Sequence, residues 1–208
     1  MFYLATTPWW LRIFFPRGMT WRLPDQEKVL YLTFDDGPHP TITPFVLDQL
    51  KRYGAAATFF CIGKNVVDYP EIYQRILSEG HRTGNHTHRH LNAKHTPEKQ
   101  WLEDVRVASK CIDSDLFRPP YGRIRSFEAK TLREASPPYR IILWDVLSGD
   151  FDEKTNAQAC TQNVIRNARP GSIVVFHDSQ KAWKRLENCL PAVLKHFSEE
   201  GYSFRAIL

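Results

Sequence analysis

Two short stretches, far apart in the chain, carry side chains suited to chemistry. Thr33-Phe34-Asp35-Asp36-Gly37-Pro38 ends an apolar run with adjacent carboxylates at a turn, and Asn85-His86-Thr87-His88-Arg89-His90 holds three histidines in five residues. Two imidazoles and one carboxylate are a common ligand set for a catalytic divalent ion and leave positions open for water and substrate. A second carboxylate is then free to handle a proton. If the stretches meet in space, the protein is a metal-dependent hydrolase.

Each group has a competing reading. Neighbouring side chains on a strand point to opposite faces, a constraint that the turn at Gly37-Pro38 relaxes; the same residues also suit an ordinary turn or a helix cap. His86 and His90, four apart, fall on one side of a helical turn or tight loop, with His88 as the competitor. In Arg118-Pro119-Pro120-Tyr121-Gly122 the prolines stiffen the loop, so the Tyr121 N–H is a candidate oxyanion donor. Arg118 can keep a carboxylate ionised. His177 closes the apolar run Ile173-Val174-Val175-Phe176 and suits a general acid, against the alternative of a core histidine bonded to Asp178. His39, His81, His95 and His196 lack such company and read as surface or structural.

Short β-like runs alternate with helical spacing after Pro24. Strands are expected over 29–34, 56–61, 81–85, 116–118, 139–144, 172–176 and 202–206. Helices are expected over 43–53, 70–79, 97–114, 126–135, 156–167 and 186–200. This order predicts an α/β fold with a parallel sheet and crossover helices. The polar clusters at Asp35-Asp36, His86 to His90, Arg118 to Gly122, Asp145 to Asp152 and His177-Asp178 each follow a strand. In α/β barrels those strand ends share one face, where active sites lie.

The 208 residues suit one domain, and 42% apolar with 25% charged residues reads as globular. A net charge of +5 tolerates an anionic surface, but no basic tract or nucleic-acid motif is present. No nucleic-acid partner and no obligate protein partner are therefore expected. Cys61, Cys111, Cys160 and Cys189 form no C-x-x-C pair and read as mostly buried and reduced. Residues 1–24 are aromatic, with Phe2, Tyr3, Trp9, Trp10, Phe14, Phe15 and Trp21, yet Pro8, Arg12, Pro16 and Arg17 break them well short of a span. The reading is an arm, 1–24, packed on one domain, 25–208; membrane contact through the arm is the lesser alternative. The arm lacks a basic start and a small-residue cleavage site, which points to the cytoplasm, whereas a cell-wall substrate would point to the envelope.

Taken together, the motifs resemble the NodB-type polysaccharide deacetylases, carbohydrate esterase family 4. From about Lys28 onward the chain matches four of that family's five motifs in order: Thr33 to Pro38, His86 to His90 as H-[ST]-x-x-H, Arg118 to Gly122, and Val175-Phe176-His177. The resemblance implies an incomplete, distorted (β/α) barrel. It implies Asp35 as catalytic base and Asp36, His86 and His90 as ligands of a divalent metal, zinc first, with cobalt, nickel or manganese as alternatives. Arg118 would orient the base, Tyr121 N–H would line the oxyanion hole, His177 would be the general acid, and Val175 would line the acetyl pocket. Separately, Trp144 or Phe151 at the rim could stack on sugar rings, against the alternative of core packing.

The fourth motif departs from the pattern. In Trp144-Asp145-Val146-Leu147-Ser148-Gly149-Asp150-Phe151-Asp152, Leu147 stands in the place of the family's first Asp and Phe151 in that of its Trp. Support of His177 would then shift to Asp145 or Asp150, or its pKa would change. The implied function is removal of N-acetyl groups from N-acetylglucosamine-containing poly- or oligosaccharides of peptidoglycan or chitin type. The alternatives are a non-catalytic carbohydrate-binding protein on the same fold, or a deacetylase of a small acetylated amino-sugar precursor.

Overall fold

A computed structural model describes residues 4–24 and 27–208. Phe2 and Tyr3 of the arm, and the expected boundary at residue 25, lie outside the described residues.

The elements follow as β1 (Val29–Asp35), α1 (Ile42–Arg52), β2 (Thr58–Cys61), α2 (Gly63–Asp68), α3 (Pro70–Ser78), β3 (Arg82–Asn85), α4 (Glu98–Ala108) and β4 (Leu116–Phe117). Then come α5 (Ser126–Arg133), β5 (Arg140–Ile141), β6 (Val146–Leu147), α6 (Ala157–Ile165), β7 (Ile173–His177), α7 (Trp183–Glu199) and β8 (Ser203–Phe204). Every strand pair is parallel, in the order β5-β4-β3-β2-β1-β7-β6, with β8 beside the start of β1. β5 and β6 do not pair, so the curled sheet stays open on one side.

The register sets the functional end. Thr33 pairs with Val175 and Asp35 with His177, so these side chains share one face of adjacent strands. Phe34 and Phe176 turn the other way and stack, 5.8 Å apart, with Phe59 on the far side of Phe34 at 5.0 Å. These three rings face α1 and α7, where Leu47, Leu50, Val193 and Leu194 are fully buried with them. Phe60, Leu116, Ile142, Ile173 and Ile207 fill the other face of the sheet.

Several elements differ from the sequence expectation. α4 stops at Ala108, because Ser109 closes the turn onto Arg106 O and Ser114 Oγ donates to Thr83 O to start β4. The strand expected over 139–144 is confined to Arg140–Ile141, and a separate β6 lies inside the fourth motif. The six-residue α2, opening on Gly63, has no periodic apolar signal. Cys61, Cys160 and Cys189 are buried free thiols, while Cys111 is half-buried.

Residues 4–23 run along the open side. Leu147 N–H donates to Ala5 O at 2.8 Å and Thr7 N–H to Asp145 O at 3.1 Å, covering the β6 edge. Thr20 N–H donates to Ile141 O at 2.9 Å and Thr20 O accepts from Leu143 N–H at 2.7 Å, covering the β5 side. The arm thus satisfies edge groups that would otherwise recruit another chain. Trp9, Trp10, Ile13 and Phe14 remain exposed on its outer surface. Among the described residues no helix is long and apolar enough to cross a membrane.

The central Phe34 is fully buried between the Phe59 and Phe176 rings, so its truncation leaves a cavity. We expect Phe34→Ala to lower unfolding free energy by about 3–5 kcal/mol, read from urea denaturation.

Candidate active site and metal centre

β1 delivers Asp35 at its end, and the chain then turns through Asp36, whose φ is 80°. The turn is clamped from β7. Asp178 N–H donates to Asp35 O at 3.1 Å, and the Asp178 carboxylate accepts from Gly37 N–H at 3.1 Å and from Thr43 Oγ1. A Cβ on Gly37 would lie 2.1 Å from Asp178 Oδ2, so only glycine lets the two segments approach this closely. Asn65 of α2 holds Asp36 O at 2.8 Å. The α1 N-terminus is capped by His39 Nδ1, which accepts from Thr41 and Ile42 N–H, rather than by either aspartate.

The histidine loop is fixed as firmly. Asn85 Oδ1 accepts from Thr87 N–H at 2.8 Å. Gly63 and Lys64, in the first turn of α2, donate to Thr87 O and His88 O. The buried Asp104 carboxylate takes the N–H groups of His88 and Arg89 at 3.0 and 2.8 Å, and Arg89 Nε at 2.7 Å. His88 therefore points away, towards Gly63, while His86 and His90 turn to Asp36.

Asp36 Oδ1 lies 3.7 Å from His86 Nε2 and 3.2 Å from His90 Nε2, and the three ligand atoms fall within 4.8 Å of one another. Metal bonds of about 2.0–2.1 Å put neighbouring ligand atoms roughly 3 Å apart, which these spacings approach. Asp36 Oδ1 is buried and makes no hydrogen bond. His86 Nδ1 faces Arg118 O at 2.8 Å, so it carries the proton and Nε2 presents its lone pair. Burial, the largest influence, lowers the His86 pKa to about 4 and keeps the ring neutral. Burial alone would raise Asp36, but His90, His177 and His86 outweigh it and hold the carboxyl well below its usual range. The neutral His86 imidazole, the His90 imidazole beside it and an ionised carboxylate with an unpartnered oxygen fit a divalent cation.

Arg118 is fully buried. Its Nη1 reaches Asp35 Oδ1 and Thr33 Oγ1, both at 2.7 Å; Nη2 donates to Leu143 O and Nε to Ile142 O. The guanidinium lies over the Phe60 ring at 4.1 Å. Asp35 is thereby kept apart from the ligand group, with one oxygen committed to Arg118.

Across the site, the His177 N–H and Nδ1–H both donate to the Asp150 carboxylate, at 2.7 and 2.8 Å. Burial opposes protonation of His177, but Asp150, then Asp36 and Asp35, raise its pKa to about 9. Asp150, not Asp178, is its partner. Asp145 is occupied elsewhere, accepting from Ser172 Oγ and Ile173 N–H. The missing fourth-motif carboxylate at Leu147 thus leaves His177 fully supported. Burial raises Asp178 to about 7.

Tyr121 has φ 61°, and its ring meets that of His90 edge-on at 4.7 Å. Phe151 meets His177 edge-on at 5.3 Å. Val175 is buried in β7, two residues before His177 on the same face. Trp144 is half-buried, with its ring against Gly122 and 5.6 Å from the Arg118 guanidinium. Among the described residues, the non-glycine residues with positive φ are Asp36, Thr87, His90 and Tyr121, all in these loops. Sequence reasoning missed Asp104, Asn65 and the clamping role of Asp178; the only local signal was the Asp beside His177.

Residues 22–136 match the polysaccharide deacetylase family. The chain is 37% identical over 196 residues to a peptidoglycan-N-acetylglucosamine deacetylase of Bacillus cereus, covering 91% of each. It is 33% identical over 168 residues to a chitooligosaccharide deacetylase of Azorhizobium caulinodans, covering 77% of this chain and 79% of the relative. A crystal structure of a peptidoglycan N-acetylglucosamine deacetylase with 4-naphthalen-1-yl-N-oxidanyl-benzamide superposes with a TM-score of 0.81 at 29% identity, over 91% of each chain. The ordered motifs, the open parallel barrel and these matches together show that the chain belongs to the polysaccharide deacetylase family.

Proposed function

We propose that this protein is a metal-dependent N-deacetylase that hydrolyses the acetamido group of N-acetylglucosamine units in a peptidoglycan-type glycan. The observation that carries the reading is the opposed pair at one sheet end: Asp35 held by Arg118 and His177 held by Asp150, on either side of the Asp36, His86 and His90 cluster. Family membership supports divalent-metal dependence, and the two-nitrogen, one-oxygen donor set favours zinc. The relative of similar length from Bacillus cereus supports the substrate class.

In the proposed mechanism, Asp36, His86 and His90 hold the ion, which when bound supplies Lewis-acid polarisation and a more acidic water. Asp35 takes the proton of the attacking water; Arg118 fixes which carboxylate oxygen is available for it. The Tyr121 N–H, held by the Pro119-Pro120 turn, donates to the oxygen that gains charge in the tetrahedral intermediate. His177, protonated at neutral pH, gives its Nε2 proton to the leaving nitrogen, releasing acetate and a free amine. Val175 and Phe151 form apolar walls suited to the acetyl methyl. The carbohydrate-binding alternative rested on Leu147, and Asp150 removes that ground.

Chelation should abolish acetate release from peptidoglycan and N-acetylglucosamine oligomers, and zinc should restore it; recovery only with cobalt, nickel or manganese would identify a different native ion. No bound divalent ion by elemental analysis and no acetate with any added metal would refute the reading. Asp35→Asn should lower kcat by about 10²–10⁴ with metal content retained; loss of metal would mean that Asp35 is a ligand.

The alkaline limb of the pH–rate profile should report His177, since its acid form is lost as pH rises through its pKa. Asp150→Asn should move that limb to lower pH and reduce kcat by on the order of 10². In the metal-free protein, NMR titration should show the His177 pKa above 6.5 and lowered by the substitution. The sign for stability is the same: a raised folded pKa stabilises fully below about 6.5, and that contribution is lost as pH rises towards about 9.

A further inference from the structure

The arm does more than cover sheet edges. Together with the loops after β4 and β5 it encloses an open cavity of about 330 Å³. Leu11, Phe15 and Trp21 of the arm form one wall, and Tyr121, Trp144 and Leu147 the other. The arm residues precede residues 22–136, the segment that the family model matches. The arm's wall is fixed: Phe15 and Trp21 pack edge-on at 4.8 Å, Arg12 lies over Trp21 at 5.4 Å, and the backbone on both sides is bonded to the 141–147 segment.

The cavity adjoins the site at Tyr121. Tyr121, whose ring touches His90, lines both. Leu147 pairs with Val175, two residues before His177, so it brings the cavity to the acetyl side of the centre. Leucine at position 147 suits this largely apolar lining.

We propose that the arm-lined cavity is a subsite for the pyranose ring next to the one being deacetylated. This rests on the deacetylase reading above. A polymer substrate must continue past the reacting unit, and this open cavity adjoins Tyr121. Its chemistry matches one sugar: the rings of Phe15, Trp21, Trp144 and Tyr121 suit the C–H faces of a pyranose, and Thr6 and Thr7 add polar groups for its hydroxyls. The volume suits one ring rather than a longer stretch of glycan.

The test compares kcat/KM for N-acetylglucosamine, its disaccharide and its trisaccharide with the zinc-loaded wild type, Phe15→Ala and Phe15→Leu. The wild type should gain at least tenfold from monosaccharide to trisaccharide. Both variants should lose at least fivefold of that ratio, through KM. Phe15→Leu keeps an apolar side chain against Trp21, so its unchanged melting temperature separates a lost sugar contact from a lost fold. An unchanged ratio, or an equal loss on all three substrates, would overturn the subsite. If the wild type releases no acetate from any of them, the deacetylase reading fails instead. Tryptophan fluorescence titrated with the trisaccharide then decides the subsite, through saturable binding weakened at least fivefold by Phe15→Leu or its absence.

Discussion

The buried Arg118 guanidinium is the constraint around which the rest of the site is arranged. A charge without solvent is tolerated only if it is paired and its donors are used. Here Asp35 neutralises it, Thr33, Ile142 and Leu143 take further donors, and Phe60 covers its face. The partners come from three parts of the sheet: β1, β2 and the segment after β5. The same residue's carbonyl receives the His86 ring proton. One residue therefore orients Asp35, the proposed base, through its side chain and His86, a proposed metal ligand, through its backbone. Displacing it would disturb both at once.

A second layer of buried carboxylates does comparable work for the loops. Asp104 gathers the N–H groups of the histidine loop, Asp150 those of His177, and Asp178 ties the β1 turn to β7. These contacts hold Asp36, Thr87 and His90 at positive φ, a conformation that side chains with a Cβ rarely adopt unaided. The backbone strain is concentrated where ligands must converge, and the hydrogen bonds around it come from elements that are otherwise regular.

The reach of sequence reasoning follows from the range of the interactions. Asp35, His86, Arg118 and His177 were legible because each sits at the end of a β-like run, and strand ends of a parallel sheet share one side. The apolar runs that form β1 and β7 are local and were also legible. What escaped depends on partners distant in sequence. Whether Asp145 or Asp150 supports His177 is decided by β6 and β7 lying side by side, and two residues of β6 give no periodic signal. The grip of Asp178 on Gly37 and of Asp104 on the histidine loop joins segments that no local pattern connects. The arm's aromatics were visible as a cluster, but not their position across an opening that only the assembled sheet defines.

The pairing of Asp35 with His177 across β1 and β7 has an evolutionary consequence. Neighbouring strands lie about 4.8 Å apart whatever the loops do. The spacing between the proposed proton acceptor and proton donor is thus set by the backbone ladder and not by each loop. Residues beyond the strand ends, the arm included, can be exchanged, lengthened or grafted to meet a different polymer while that separation stays constant. The scaffold is modular at its rim and fixed at its reacting centre.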